Sequence, residues 1–353
     1  MASPRSSDEW PLVSVIIPCR NEARFIGPCL ESIQASSYPQ ERIEVLIADG
    51  MSDDGTRDVI ARYAGGDGRI ALLDNPGRIA PTALNTALRA ARGDVIVRMD
   101  AHAAYPPDYI PRLVSALEET GADNVGGVIV TLPAEETATA RAIAVGMSHR
   151  LGVGNSHFRV GTSTRKSVDH VAFGCWRRAV FDRHGLFDEE LVRGQDVEFN
   201  ARLISRGGTV LLLPEVTSSY HARRSLGQVA RMFYQYGYYK PLVVRKAGRV
   251  MTLRQLVPPL FVLALAGAGA LGLLWRPAGI CFGVIVGSYL ALILGAAVQA
   301  AARRHDLRTG VALLAVFPLL HFGYGIGYLR GLRDYMLPFR KAPKPAAAVA
   351  LTR

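Results

Sequence analysis

Short apolar runs alternate with amphipathic segments over the first hundred residues. Residues 12–18, 43–49, 70–75 and the run that ends at Met99 have the composition of buried strands, and residues 23–36, 55–64 and 80–93 have the spacing of helices. Strands that alternate with helices in this way predict an α/β fold, with a mostly parallel sheet and helices on both faces.

Polar side chains follow each of these strands. Arg20, Asn21 and Glu22 follow the first, and Asp49, Asn75 and Asp100 follow the next three. Each residue alone is equally compatible with a helix cap or a loop. Ligands of parallel sheets bind at the carboxyl ends of the strands, so the shared position of these residues predicts a ligand site there.

The C-terminal third has a different pattern. Windows 255–275, 277–302 and 309–329 contain no Asp, Glu, Lys or Arg, and each is long enough to cross a bilayer core of roughly 30 Å. The hydrophobic share of 49% and the mean hydropathy of +0.16 agree with such segments. We expect about three transmembrane helices after a soluble domain.

The predicted domains follow from these patterns. A flexible N-terminus (1–11) precedes a domain over 12–222, basic juxtamembrane or interfacial helices over 223–254, a membrane region over 255–330 and a basic tail over 331–353. No apolar leader precedes the first strand, so we expect a multi-pass protein of the inner (plasma) membrane with the 12–222 domain in the cytoplasm. Three spans would place the tail outside, whereas its lysines and arginines favour the inside, so one window is expected to be re-entrant or interfacial.

The distribution of the net charge of +11 along the chain indicates an anionic binding partner. No acidic residue occurs between Glu215 and Asp306, and the cations crowd the approach to the first apolar window. This favours anionic lipid heads over nucleic acid, since no nucleic-acid motif accompanies the charge. The four cysteines have no CxxC pairing, which disfavours a disulfide framework or a zinc site. Neither GxGxxG after the first strand nor GxxxxGK[ST] is present, which disfavours dinucleotide oxidoreductases and P-loop ATPases.

Asp100 and His102 are candidate metal ligands. If residues 100–102 are extended, the two side chains point the same way while Ala101 turns away. Carboxylate oxygen with imidazole nitrogen suits a divalent cation, Mn²⁺ more than Mg²⁺. A DxH triplet alone is also compatible with a surface loop.

Five motifs carry a resemblance to a known family: VSVIIPCRNEARFIGPCLESI, IADGMSDDGT, NPGRIAPTALNTALRAARGDVIVRMDAH, FGCWRRAVFDRHGLFDEELVRGQDVEF and QVARM. Together they resemble family 2 glycosyltransferases of the GT-A fold over about residues 12–245. Within that family the chain is most similar to membrane-associated glucosyltransferases of succinoglycan-type exopolysaccharide synthesis. The resemblance implies a nucleotide sugar at the strand ends, with a metal on its diphosphate held by the DxD-like motif, here Asp-Ala-His. A third ligand is expected at His221, which could equally be an interfacial histidine.

The resemblance also implies roles for individual residues. The base and ribose pocket is expected to include Pro18, Arg20, Glu22 and Asp49, with Asp54 and Arg78 nearby. Asp49 would accept a hydrogen bond from a uracil N–H. VRGQDVEFNARL resembles the catalytic segment, with Gln195 in place of a glutamate and Asp196 as the catalytic base. Asp196 is also suited to be the N-cap of a helix that begins at Val197, and both roles are compatible.

Two further segments concern the acceptor and the diphosphate. Gly174, Cys175 and Trp176 match the acceptor side of the family, with Trp176 either a stacking platform for a sugar or part of the core. QVARM resembles the QxxRW motif of processive synthases, with Met232 in place of Trp, and implies that Gln228 and Arg231 contact the leaving diphosphate. The aromatic run 232–239 favours an interfacial helix, with tyrosines at headgroup level, over a surface that guides a glycan.

These inferences predict an inverting, metal-dependent glycosyltransferase. It would transfer a hexose, expected to be glucose, from a UDP-sugar to a polyprenyl-diphosphate-linked saccharide, with Mn²⁺ or Mg²⁺ as cofactor. The alternatives are a processive polysaccharide synthase, a polyprenyl-phosphate glycosyltransferase, and a non-catalytic membrane-tethered nucleotide-sugar-binding protein. A transporter is disfavoured because the windows carry few polar groups. The sequence does not indicate the oligomeric state.

Overall fold

The computed structural model describes residues 9–248 and 252–336. The chain forms two compact units. The first combines residues up to Val130 with Gly161–Tyr220, and the second combines Thr131–Val160 with the residues from His221 onward. The predicted 12–222 domain therefore contains a segment, Thr131–Val160, that belongs with the C-terminal residues.

The N-terminal elements alternate between strand and helix. They are β1 (Val13–Cys19), α1 (Ile26–Gln34), β2 (Ile43–Asp49), α2 (Thr56–Gly66), β3 (Ile70–Asp74), α3 (Ala80–Ala90), β4 (Val95–Arg98), β5 (Ala103–Ala104), α4 (Tyr109–Thr120) and β6 (Asn124–Leu132). A short 3-10 turn, Gln40–Arg42, precedes β2.

The later elements are mainly helical. They are α5 (Ala138–Ser148), α6 (Arg150–Val153), α7 (His157–Val160), β7 (Lys166–Ser167), β8 (Cys175–Arg177), α8 (Arg178–His184), α9 (Gln195–Ser205), β9 (Val210–His221), α10 (Leu226–Ala247), α11 (Val257–Gly272), α12 (Arg276–Arg304) and α13 (Leu307–Met336). A second 3-10 turn, Leu253–Leu256, leads into α11.

Within the described residues, nine strands form one mixed sheet in the order β3-β2-β1-β4-β8-β6-β9-β5, with β7 paired to β9. The first four strands are parallel, as predicted. The other half was not predicted: β8 is antiparallel to β4 and to β6, and β5 and β7 are antiparallel to β9. The sheet is therefore mixed rather than mostly parallel.

The parallel half brings the predicted strand ends to one edge. Cys19 is paired with Asp49, and Asp49 with Asp74, so β1, β2 and β3 end side by side. All seven residues of β2 are buried, which is typical of parallel strands covered on both faces.

Two predicted helices are shorter than their apolar patterns. The predicted helix over 23–36 begins only at Ile26, because the backbone N–H groups of Phe25 and Ile26 both donate to the carbonyl of Glu22 in a turn. The predicted helix over 80–93 ends at Ala90, since residue 91 is already extended. Only the first difference adds loop at the edge where the strands end, because Gly93 lies against Leu12 and Ser14, where β1 begins.

In the second unit, α10 and α13 pack with their backbones in close contact. Gly323, Gly327 and Gly331 face the backbone of Ala230, Tyr234 and Tyr238, and a Cβ at Gly327 or Gly331 would overlap the α10 carbonyl oxygen opposite it. The spacing is four residues on both helices, so one face of each helix is used throughout.

This packing changes the interpretation of the aromatic run 232–239. Tyr238 and Tyr239 are buried, and the hydroxyl of Tyr238 donates to the carboxylate of Asp334 on α13 at 3.1 Å. We expected these tyrosines at the headgroup level of a membrane, but Tyr238 belongs to the α10–α13 interface and Tyr239 is buried beside it.

The segment α5–α6 packs on the first half of α13. Arg141 donates to Asp306 at 2.9 Å just before α13, the ring of His149 lies edge-on to Phe317, and His321 contacts the carbonyl oxygen of Leu151 at 2.7 Å. Residues 306–321 are therefore covered on one side by α5 and α6.

Among the described residues, three helices are long and apolar enough to cross a membrane: Leu253–Gly272, Arg276–Arg304 and Leu307–Met336. The predicted windows coincide with them. The third differs from the others, since 39% of its apolar window is buried inside the protein, against 11% for each of the first two.

Candidate active site

The residues predicted to bind the base lie together where β1 and β2 end. The Asp49 carboxylate is fully buried and accepts hydrogen bonds from the backbone N–H of Ser52 at 2.9 Å, the Ser52 hydroxyl at 2.5 Å and Arg57 at 3.0 Å. Asp49 thus holds the loop after β2. These three hydrogen bonds use three of the roughly four acceptor positions of the carboxylate.

Asp54 and Glu22 connect the loops after β1 and β2. Asp54 accepts hydrogen bonds from the backbone N–H of Ala23 and of Thr56, and the Thr56 hydroxyl accepts a hydrogen bond from the Glu22 N–H at 2.7 Å. These contacts give the two loops one shared conformation.

Arg20, Pro18 and Arg78 complete this group. Arg20 is exposed, packs against Gly50 and donates to the backbone carbonyl of Arg78 at 3.2 Å. Pro18 is half-buried near the end of β1, and Arg78 has a positive φ of 58°. The structure therefore brings all six predicted base-pocket residues to one edge of the sheet.

Asp100 and His102 lie in a turn, which corrects the extended conformation expected for residues 100–102. The N–H of Ala103 donates to the carbonyl of Asp100 at 3.1 Å. The His102 imidazole lies 3.2 Å from the Glu22 carboxylate, so the turn after β4 contacts the loop after β1.

Arg98 links the predicted metal ligand to the predicted base. Its guanidinium donates to both oxygens of Asp100, at 2.9 and 3.2 Å, and lies 3.5 Å from Asp196 Oδ2. Arg98 is only 7% exposed. Burial alone would lower the pKa of this guanidinium, but the charges of Asp100 and Asp196 outweigh burial and raise the pKa above its usual value. The charge of Arg98 is therefore permanent.

Asp196 lies in the first turn of α9, not at its N-cap. The helix begins at Gln195, and the N-cap is Gly194 in a left-handed conformation with φ of 79°. Asp196 Oδ1 accepts from the N–H of Val197 at 2.8 Å, which orients the carboxylate at the helix start. Gln195 is buried, whereas the Asp196 side chain is 25% exposed.

A histidine that sequence reasoning missed lies on the other side of Asp196. His170 Nε2 is 3.8 Å from Asp196 Oδ2, and His170 Nδ1 is 3.0 Å from the side-chain nitrogen of Asn200 on α9. Asn200 in turn accepts a hydrogen bond from Asn124 at 2.8 Å.

The side chains of the predicted acceptor segment are buried. Cys175 and Trp176 are 0% and 2% exposed, and Trp176 packs edge-on against Phe181, Phe187 and Phe199. Trp176 is thus part of the core and not a stacking platform. Gly174 has φ of 93°, and a Cβ there would overlap the Trp176 ring, so this position requires glycine.

The remaining predicted site residues belong to the second unit. Gln228 accepts a hydrogen bond from the N–H of Arg224 at 3.2 Å in the first turn of α10, and Arg231 is exposed on the same helix. His221 Nδ1 lies 3.3 Å from the carbonyl oxygen of Pro133.

The donor atoms fit a divalent cation only in part. In the part of the chain that the structure describes, no group of three or more His, Cys, Asp or Glu side chains could hold a metal ion. Asp100 and His102 supply the oxygen and nitrogen that Mn²⁺ accepts, and an ionised carboxylate keeps lone pairs besides those that bond Arg98. This set suits a cation whose remaining ligands come from a diphosphate and water, which is the usual mode for Mg²⁺ at phosphates.

Comparison with known proteins identifies the family. The model of "Glycosyl transferase family 2" matches residues 14–185. The succinoglycan biosynthesis protein ExoA of Rhizobium meliloti (strain 1021) is 32% identical over 335 residues, covering 94% of this chain and 98% of the relative. A dolichyl N-acetyl-alpha-D-glucosaminyl phosphate 3-beta-D-2,3-diacetamido-2,3-dideoxy-beta-D-glucuronosyltransferase of Methanococcus voltae is 31% identical, covering 66% of this chain and 74% of that one.

A solved structure has the same fold. The mannosyltransferase PcManGT from Pyrobaculum calidifontis, in complex with GDP-Man and Mn²⁺, superposes with a TM-score of 0.59 at 21% identity, covering 89% of this chain and 88% of that chain. The mixed sheet with flanking helices is thus a GT-A fold, as the sequence predicted. On the family match and the full-length relative, the chain belongs to glycosyltransferase family 2.

Proposed function

We propose that this glycosyltransferase transfers a hexose, expected to be glucose, from a UDP-sugar to a polyprenyl-diphosphate-linked saccharide with inversion at the anomeric carbon. The observation that supports this reaction most directly is the Asp100–Arg98–Asp196 cluster beside the strand ends. In this proposal Asp100 binds the cation that accompanies the substrate diphosphate, and Asp196 faces the acceptor hydroxyl.

Each residue of the cluster has a chemical role in this proposal. The acceptor oxygen attacks the anomeric carbon as the bond to the diphosphate breaks, and Asp196 takes the hydroxyl proton. A divalent cation held by Asp100 and His102, when bound, offsets the charge of the departing diphosphate. Arg98 lies against both carboxylates and offsets part of their negative charge.

The test is Asp196→Asn, which removes the proton acceptor at nearly constant shape. We expect transfer to fall by at least about 100-fold while UDP binding is kept. The matched control is Asp182→Asn, an exposed carboxylate on α8 of the same unit. Undiminished turnover in Asp196→Asn would show that Asp196 is not the catalytic base. Release of UDP from a panel of UDP-sugars, with membrane lipid extract as acceptor, identifies the sugar.

The proposal favours one addition per acceptor over processive synthesis. Met232, at the position of the Trp in the QxxRW motif, is fully buried and therefore does not contact a glycan. We expect one product on a defined lipid-linked acceptor. A ladder of products in gel or mass analysis would favour a processive synthase instead.

We propose further that α11 and α12 cross the membrane and that α13 does not. The α13 helix is covered by α5–α6 along its first half, and along its second half by α10, which carries Arg231, Lys240 and Arg245. Such cations are costly in hydrocarbon. In contrast, α11 and α12 expose apolar side chains along their length. Two crossings return the basic tail to the cytoplasmic side, in agreement with its charge.

Labelling of single cysteines in intact cells tests this topology. In a Cys281→Ser background, an impermeant thiol reagent should label Leu274→Cys, in the connection between α11 and α12, and should leave Arg353→Cys unlabelled. Labelling of both positions would show that α13 also crosses the membrane.

A further inference from the structure

We propose that His170 is a positioning residue that fixes the orientation of the Asp196 carboxylate, and that a chain of hydrogen bonds from the Cys175 backbone fixes its tautomer. The inference depends on the proposed role of Asp196 as the base. Nothing in the sequence motifs assigns a role to His170.

The chain begins at a group whose direction is unambiguous. The backbone N–H of Cys175 can only donate, and it donates to Asn124 Oδ1 at 3.3 Å. The other end of this amide, Nδ2, therefore faces Asn200, whose Oδ1 accepts at 2.8 Å. Both amides are buried, with exposures of 0% and 1%, so solvent does not compete for these groups.

The orientation of the Asn200 amide determines which nitrogen of the His170 imidazole carries the proton. Its Nδ2, a donor, lies 3.0 Å from His170 Nδ1, so Nδ1 must accept and cannot carry a proton. The proton of the neutral imidazole is then on Nε2. An imidazolium would direct a second N–H at the Asn200 NH₂, so this chain also favours the neutral form.

The protonated nitrogen faces the proposed base. Nε2 lies 3.8 Å from Asp196 Oδ2, longer than a hydrogen bond but close enough for the N–H dipole to attract the carboxylate. Arg98 Nη1 approaches the same oxygen at 3.5 Å, while Oδ1 is bonded to the Val197 N–H. Oδ2 is therefore directed between the guanidinium and the imidazole, and rotation of the carboxylate would break all three contacts.

The other tautomer would have the opposite effect. With the proton on Nδ1, the Nε2 lone pair would face the carboxylate and repel it, and Nδ1–H would oppose the Asn200 NH₂. Orientation of a general base within a small angle is worth orders of magnitude in rate. The geometry thus predicts that kcat depends on the His170 tautomer although His170 itself exchanges no proton with substrate.

Three variants separate tautomer control from simple packing. His170→Leu removes both ring nitrogens, and His170→Gln keeps an N–H donor near the Nε2 position. Asn200→Asp retains the histidine but presents only acceptor oxygens to Nδ1, which shifts the proton to Nδ1. We expect kcat to fall about 10- to 100-fold in His170→Leu and Asn200→Asp, with KM for UDP-sugar within about twofold, and a partial recovery of kcat in His170→Gln.

The control is Asn85→Asp. Asn85 is a buried amide of the same unit that bonds the backbone of Phe187 and the carboxylate of Glu189, and its described hydrogen bonds do not involve Asp196. We expect it to lower stability but to leave kcat per folded molecule unchanged. This variant measures the stability that a buried Asn-to-Asp change removes when the orientation of Asp196 is not affected.

Two measurements do not depend on absolute activity. The ¹⁵N spectrum of histidine-labelled protein, assigned by the loss of one signal in His170→Gln, should show an unprotonated Nδ1 in the wild type and a protonated Nδ1 in Asn200→Asp. In the Asp196→Asn background, His170→Leu should cause no further loss of kcat, because a positioning residue acts only through its partner.

The outcomes are distinguishable. If Asp196→Asn is inactive but His170→Leu and Asn200→Asp stay within twofold of wild-type kcat, or if the wild-type spectrum shows a protonated Nδ1, the His170 inference is wrong and the base assignment remains. If Asp196→Asn keeps full turnover, the proposed function fails first. If His170→Gln loses as much kcat as His170→Leu, a donor at Nε2 is not what matters and the inference is also overturned.

Discussion

Arg98 and Asp100 form a bidentate ion pair at the end of β4, with the guanidinium donating to both carboxylate oxygens at 2.9 and 3.2 Å. The remaining nitrogen of the same guanidinium, Nη1, lies 3.5 Å from Asp196 Oδ2. One buried cation thus lies between two carboxylates that come from positions almost a hundred residues apart. Its removal would leave two partly buried negative charges facing each other.

Arg98→Met is therefore expected to lower the free energy of unfolding by about 3 kcal/mol and to abolish transfer, because breaking a buried ion pair leaves its partners uncompensated. Thermal unfolding and kcat measure the two effects. Arg98→Lys should keep part of the stability but lose the bidentate contact with Asp100. The control is Arg112→Met, whose exposed pair with Asp108 should contribute less than about 1 kcal/mol. A fully stable Arg98→Met would contradict the prediction.

Cation binding is expected to depend on the nucleotide. With two protein ligands and no third in the described residues, Mn²⁺ should bind weakly alone and at least about tenfold more tightly with UDP present, and UDP should gain the same factor from Mn²⁺. Calorimetric titration of Mn²⁺ with and without UDP measures this coupling, and Asp100→Asn should remove it. Equal Mn²⁺ affinity in both titrations would argue for a preformed protein site.

Asp49→Asn is expected to raise KM for the UDP-sugar and to lower stability by about 1 to 3 kcal/mol, since Ser52 and Arg57 lose an ionised acceptor that is buried. Steady-state kinetics and chemical unfolding provide the two readouts. Asp74→Asn is the matched control, because Asp74 is the exposed partner of the same Arg57. It should leave KM unchanged, and a parallel rise in KM would show that only the position of Arg57 matters.

Gly327→Ala is expected to lower the unfolding temperature in detergent by several degrees, because a Cβ there overlaps the Tyr234 carbonyl of α10. Gly283→Ala on α12 is the control: nothing lies within 4 Å of a Cβ at that position, so alanine should be neutral or stabilising. If both substitutions behave alike, the close packing of α10 on α13 is not what stabilises this region.

The pH dependence of stability should show the contribution of Asp67. The hydrogen bonds from Arg69 hold the pKa of this carboxyl at about 2, below its usual value of 3.8. Because the folded state has the lower pKa, the contribution is complete above pH 3.8 and is lost as the pH falls toward 2. Asp67→Asn should cost about 1 to 2 kcal/mol at pH 6 and almost nothing near pH 2. The exposed Asp94→Asn serves as control, and a difference that does not change with pH would contradict the assignment.

The parallel half of the fold could be predicted because each of its strands is an apolar run bounded by polar residues. The antiparallel half could not. β8 is three residues long and β5 and β7 have two each, so they have no periodicity of their own and exist only through pairing. The Asp100–His102 turn was missed for a related reason, since the two-residue spacing also suits a strand.

The predicted site residues were found by their position after the strands, but the groups that hold them were not. Arg98 is the last residue of the apolar strand β4, and the sequence gives no sign that its charge is neutralised by a residue as distant as Asp196. His170, Asn124 and Asn200 come from three separate segments. Only the folded chain shows that their hydrogen bonds form one path, because the sequence does not indicate which distant residues are in contact.

The burial of cysteines has a practical consequence for handling the protein. All four cysteines of the chain lie in the described residues; Cys19, Cys29 and Cys175 are buried, and burial raises the pKa of each of these thiols. Since the thiolate is the reactive form, they resist oxidation and alkylation. Cys281 is exposed on α12, the helix proposed to cross the membrane, so it is the thiol left to react once the protein is in detergent. A disulfide-linked dimer of the folded enzyme must therefore be joined through Cys281, and a single Cys281→Ser change should keep preparations free of covalent dimers without reductant.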